Sequence, residues 1–161
     1  MNHTTPLVFA AFFGAIAAAP LAAQTTDAET EEMAPKPIVE LNLQDFLWEK
    51  RPIVVFADSE RDPAFIRQLD LLEDRKEALA ERDVVILTDT DPDAMSELRE
   101  ELRPRGFMLV LLGKDGDVKL RKPFPWSVRE LSRSIDKMPM RQQEIRDRQA
   151  AEANAEASTG G

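Results

Sequence analysis

The chain has 161 residues, of which 43% are apolar, and a formal net charge of −9. That is enough apolar material for one core of roughly a hundred residues, and the acidic balance argues against an electrostatic nucleic-acid binder. There is no cysteine and the only histidine is His3, which excludes thiol redox chemistry, cysteine nucleophiles and zinc sites built from Cys or His. If the first segment is removed, no Ser-His-Asp triad is possible either.

In chain order, Leu7 to Ala19 is a short apolar run followed by Pro20-Leu21-Ala22-Ala23-Gln24. This reads as a secretory signal over residues 1–23, with small residues before the cut and a start that lacks Lys and Arg. An uncleaved anchor is the alternative, although the run is short for a membrane span. Residues 24–37 carry the acidic run Asp27-Ala28-Glu29-Thr30-Glu31-Glu32 and no apolar periodicity, so a disordered linker is expected. The folded unit is expected over residues 38–148, with a frayed tail over 149–161.

Within that unit, Leu43 to Lys50 predicts a short amphipathic helix burying Phe46, Leu47 and Trp48. Ile53 to Ala57 is a continuous apolar run, as a strand covered on both faces requires. Asp62-Pro63 opens a helix with an N-cap and a proline at its first position. Its apolar stripe is Phe65, Ile66, Leu69, Leu72 and Leu79. Val84 to Leu87 is a second buried strand. Asp91-Pro92 predicts another helix start, with Met95, Leu98 and Leu102 inward and Pro104 and Gly106 ending it.

Phe107 to Leu112 is a third strand, and the turn Lys114-Asp115-Gly116 returns the chain into Val118–Arg121. Ser127 and Glu130 have capping-box spacing, opening a helix that buries Val128, Leu131 and Ile135. Pro139 interrupts it before a last helical segment at Met140 to Gln149. Two helical crossovers imply parallel strands, and the hairpin adds an antiparallel edge. The fold class predicted is α/β: a thioredoxin-like three-layer sandwich with a mixed sheet, a C-terminal hairpin and a closing helix.

Four segments carry a family resemblance: Arg51-Pro52-Ile53-Val54-Val55-Phe56-Ala57, Glu81-Arg82-Asp83-Val84-Val85, Gly113-Lys114-Asp115-Gly116, and Ile135-Asp136-Lys137-Met138-Pro139-Met140-Arg141-Gln142-Gln143-Glu144. Together they resemble the P-DUDES family, a thioredoxin-like domain of unknown function in bacterial exported and vertebrate extracellular proteins. The resemblance covers about Leu41 to Arg148. It implies the fold and a periplasmic or secreted address, and supplies neither a reaction nor catalytic residues. Thioredoxins place their cysteine pair just after the first central strand, where this chain reads Asp58-Ser59-Glu60-Arg61-Asp62-Pro63. Their cis-proline position falls near Met108, where there is no proline.

Two candidate sites follow, with no cofactor implied. A ligand cleft at the carboxyl end of the first central strand would be lined by Asp58, Ser59, Arg61 and Met108. The competing reading of Asp58 and Ser59 is turn and helix capping. A basic interaction patch would combine Lys119, Arg121, Arg129, Arg133, Lys137 and Arg141, if the hairpin strand and the last helix lie side by side. Its expected occupant is an envelope or extracellular protein, an acidic polymer, or the chain's own Asp27–Glu32. Asp89, Asp91, Asp93 and Glu100 have some of the spacing of a calcium loop. Ala94 replaces the needed glycine and Pro92 interrupts it, so N-capping explains the aspartates better. Met138, Met140 and Ile145 are expected to fold back onto the domain. The reading with most support is a non-redox interaction module; an enzyme working through carboxylate, serine or lysine chemistry in the cleft is the alternative.

Overall fold

The computed structural model describes residues 33–38 and 41–159; the expected signal, most of the acidic linker and the last two residues lie outside them. A five-stranded sheet has β1 (Lys36–Pro37), β2 (Arg51–Phe56), β3 (Val84–Asp89), β4 (Met108–Leu112) and β5 (Val118–Lys122), in the spatial order β1-β3-β2-β4-β5. β2 is parallel to β3, with Ile53 opposite Ile86, and antiparallel to β4, with Val54 opposite Val110. Helices α1 (Pro63–Glu73), α2 (Lys76–Ala80), α3 (Glu97–Leu102), α4 (Val128–Asp136) and α5 (Pro139–Thr159) complete the chain.

Every residue of β2 is buried, because both faces of the sheet are covered. One core layer joins Ile53, Val55, Leu109 and Leu111 to Phe65, Leu72, Leu79, Leu131 and Ile135 of α1, α2 and α4. The other joins Val54, Phe56, Leu87 and Val110 to Leu98 and Leu102 of α3. Each large aliphatic side chain taken fully out of water stabilises by about 1.5–3 kcal/mol. The alternation of side chains along the strands therefore fills both layers and explains the unbroken apolar runs.

The expected thioredoxin-like architecture is present, with local departures that have physical causes. β4 runs antiparallel to β2 rather than parallel. A six-residue α3 is only about 9 Å long, too short to return the chain along the length of a six-residue strand. The chain therefore re-enters the sheet at the end where β3 left it. The ordered fold also begins before Ile38: Met33 is buried, and Lys36 and Pro37 pair with Leu87 and Thr88 on the outer edge of β3. Proline is tolerated there because an edge strand has one side free of ladder bonds.

The expected helix at Leu43–Lys50 is a 3-10 turn, Leu43–Phe46, capped by the Asn42 side chain. Trp48 has φ 67° and is 67% exposed, its amide donating to Lys114 O. With β2 starting at Arg51, the chain must turn before a helix can lengthen. The long helix after Asp62 divides at Asp74-Arg75, and Ile66 lies on its exposed side. Asp91 caps only a 3-10 turn; Met95 turns left-handed at φ 48° and is exposed, and Ser96 caps the true α3. Beyond Arg148, where fraying was expected, α5 continues to Thr159 through alanine and glutamate, which favour helix.

Candidate functional site

The cleft predicted at the end of β2 contains a charge pair that the cleft reading did not include. Arg99 and Asp89 are both buried. Arg99 donates from Nε and Nη2 to Asp89 Oδ1 at 2.9 and 2.7 Å, and from Nη2 to the carbonyls of Ala57 and Asp89 at 2.9 and 3.0 Å. Ser96 Oγ donates to Asp89 Oδ2 at 2.5 Å. Arg99 thus ties together the carboxyl ends of β2 and β3 from α3, and its guanidinium lies 5.5 Å from the Phe56 ring centroid. Met108 is opposite Phe56 in the sheet and half-buried on this same face.

Asp58, at 65% exposure, reaches within 4.0 Å of Arg99 Nη1. Ser59 Oγ accepts from the Arg61 amide at 3.1 Å, and Asp62 accepts from the amides of Ala64 and Phe65. Arg61 is exposed. The capping reading therefore accounts for Ser59, while Asp58 and Met108 border a buried Arg–Asp clamp. One signal of the clamp was in the sequence: Arg99 lies beside Leu98 and one turn before Leu102, next to the buried stripe of its helix. Asp89 closes an apolar strand. Of the residues with calcium-loop spacing, Asp89 serves this clamp and Asp91 accepts from the Asp93 amide.

The opposite end of the sheet holds a larger network, and the four segments carrying the family resemblance meet in it. Arg51, 1% exposed at the start of β2, donates to Arg82 O at 2.9 Å and to Glu144 Oε1 at 2.6 Å. Lys114 bridges Asp83 and Glu144 at 2.8 and 3.1 Å, and Arg141 donates to Glu144 at 3.2 Å. Arg82 makes a two-pronged pair with Asp136 at 2.9 and 2.8 Å. Burial pushes the Glu144 carboxyl up, but hydrogen bonds from Arg51, Lys114 and Arg141 outweigh it and hold it down to about 2. The Arg82 guanidinium is raised by its hydrogen bonds to Asp136. The network pins α5 to the base of the sheet. Met138, packed against the core, and half-buried Met140 border a cavity of about 280 Å³ beside it.

The basic patch is not assembled as expected. Arg121 lies opposite Val110, on the α3 side of the sheet, and donates to Leu102 O at 3.2 Å. Lys119 is the extra residue of a bulge, bound to Asp115 and Asp117 at 2.6 and 3.4 Å, and its ammonium is raised first by the Asp115 hydrogen bond. Arg141 is buried in the Glu144 network. Arg121 and the helix cations fall on different faces because alternate residues of a strand point to opposite sides, whereas Lys119 lines the cavity beside Met138 and Met140.

Arg129, Arg133 and Lys137 do form a set. Spaced four apart, they occupy the solvent side of α4 and its last turn, while Val128, Leu131 and Ile135 face the core. The acids of that helix are used elsewhere: Glu130 accepts from the Ser127 hydroxyl at 3.1 Å, and Asp136 holds Arg82. Three like charges thus stand along one face, although like charges at this spacing cost about 0.2–0.5 kcal/mol per pair.

The topology and the empty thiol position define a thioredoxin-like α/β domain without thiol chemistry. Two solved structures share this fold: the reduced 2-Cys peroxiredoxin of Plasmodium vivax, at 16% identity and TM-score 0.54, covering 64% of this chain and 85% of that one, and Plasmodium yoelii Prx1a, at 17% and 0.51, covering 64% and 81%. At such identities the likeness is one of fold. The chain belongs to the family described as a domain of unknown function, DUF4174, whose model matches residues 42–144.

Proposed function

We propose that this chain is an exported binding module that reuses a thioredoxin-like frame and takes a carboxylate-rich partner on the solvent face of α4. The observation that carries this reading is the row Arg129, Arg133 and Lys137, exposed on an acidic protein while the acids of their own helix are bound elsewhere. An acidic partner would relieve the mutual repulsion of these cations. Export is supported by the apolar run Leu7–Ala19 with its small-residue boundary at Ala22-Ala23, and by the resemblance of the four network segments to the P-DUDES domains. Partners are expected among envelope or extracellular proteins and acidic polymers.

A fluorescent hexaglutamate peptide tests the face, read by anisotropy. Replacing Arg129, Arg133 and Lys137 together by Glu should weaken binding by about tenfold or more, from three exposed pairs at about 0.5–1 kcal/mol each. Arg121→Glu should leave it unchanged. Equal binding by the triple variant and the parent chain would refute the proposal. For export, the N-terminal residue of the protein recovered outside the cytoplasm should be Gln24; recovery only inside the cell would refute that part.

A further inference from the structure

The α4 face has an acidic counterpart within the same chain. Met33, the first described residue, is buried in the core layer that α1, α2 and α4 cover, on the α4 side of the sheet. Directly preceding it, outside the described residues, is Asp27-Ala28-Glu29-Thr30-Glu31-Glu32. Six residues of extended chain reach about 20 Å, and five strands at about 4.8 Å spacing make a sheet about 19 Å wide. The far end of the segment, at Asp27, can therefore reach α4 from anywhere on that face.

Charge selects α4 among the helices there. α1 carries Arg67 with Asp70 three residues on, and in α2 Lys76 stands beside Glu77 and is bound to Glu73. Of these three helices, only α4 presents a row of cations among the described residues. The spacings also agree. In an extended backbone Asp27, Glu29 and Glu31 would share one side at intervals of about 6.7 Å, and residues four apart on a helix repeat every 6 Å or so.

We infer that Asp27–Glu32 docks on the α4 face of its own chain, its carboxylates against Arg129, Arg133 and Lys137. This rests on the reading of α4 as an acid-binding face, and makes the segment a tethered competitor. An external acidic partner must displace a group held at high local concentration. The contact weakens as ionic strength rises, because both sides are at the surface.

The chain contains no cysteine, so Ala28→Cys places a single nitroxide label, and residue 28 is retained whether or not a signal is cut before Gln24. At low salt the label should broaden the amide signals of Arg129 to Lys137 beyond those of α1 and α2, and the broadening should disappear on Arg129→Glu with Arg133→Glu. Unlabelled chain with Asp27→Asn, Glu29→Gln, Glu31→Gln and Glu32→Gln should bind hexaglutamate several-fold more tightly than the parent. If α4 signals are not broadened and neutralisation leaves hexaglutamate affinity unchanged, while the α4 triple variant still loses binding, the internal contact is overturned and the acid-binding face stands. If the neutralised chain does not bind hexaglutamate, the face itself is refuted and the inference falls with it.

Discussion

Glu144→Gln tests the network that fixes α5. The side chain is 23% exposed and accepts from Arg51, Lys114 and Arg141. Its carboxyl is held at about 2 in the fold against 4.5 when free. At 1.4 kcal/mol per unit, linkage gives a ceiling of about 3.5 kcal/mol, which partial exposure lowers to about 2. The glutamine variant keeps an amide oxygen that can accept from Arg51 but removes the charge opposite it, leaving this almost fully buried guanidinium with only the Asp83 carboxylate, at 3.7 Å, a deficit of the kind that makes breaking buried pairs costly. The expected loss at neutral pH is about 2–3 kcal/mol by urea unfolding, or several degrees in Tm. The folded value lies below the unfolded one, so the carboxylate's contribution is complete above about pH 4.5 and is lost as pH falls toward 2. The difference between parent and variant should shrink through that window. A difference under about 0.5 kcal/mol at neutral pH, within the range of ordinary surface substitutions, or one constant across the window, would refute the reasoning.

Arg99→Met should destabilise by about 3 kcal/mol or more, because it strands the buried Asp89 carboxylate with Ser96 alone. Adding Asp89→Asn should recover part of that loss in the same urea assay. Gln68, fully buried, clamps the Trp126 backbone with bonds of 3.1 and 2.7 Å. Gln68→Ala should cost about 1–3 kcal/mol and speed hydrogen exchange at the Trp126 amide. Ser127→Ala removes the α4 cap and should cost about 1 kcal/mol, read as a lower urea midpoint with an unchanged slope.

Where the sequence pattern was dominated by burial, it was readable. The runs Ile53–Ala57 and Val84–Leu87 could only be strands covered on both faces, and Asp62-Pro63 and Ser127 began helices as their capping chemistry requires. The misreadings arose where tertiary constraint outweighs local preference. Asp91-Pro92 has the chemistry of a helix start, yet the chain must first pass Asp89 to Ser96 and to Arg99, which moves the helix to Glu97. The direction of β4 depended on the length of α3, which that mistaken start exaggerated. Arg121 left the expected basic patch because spacing within each element says nothing about which side of the sheet the elements share. Arg121 and Arg133 each have helical or strand periodicity, but only the pairing of Arg121 with Val110 places it on the α3 face. The network around Glu144 joins residues 51 to 144, contacts that no local pattern encodes, although its four segments were the ones that carried the family resemblance.

The most direct test of the α4 face is amide chemical-shift mapping of the protein during titration with hexaglutamate at low salt. Shifts concentrated on Arg129, Arg133, Lys137 and their helical neighbours, and reversed by added salt, are the predicted result. Shifts centred instead on Asp58, Ser59 and Arg61, or on Arg121 across the sheet, would contradict it.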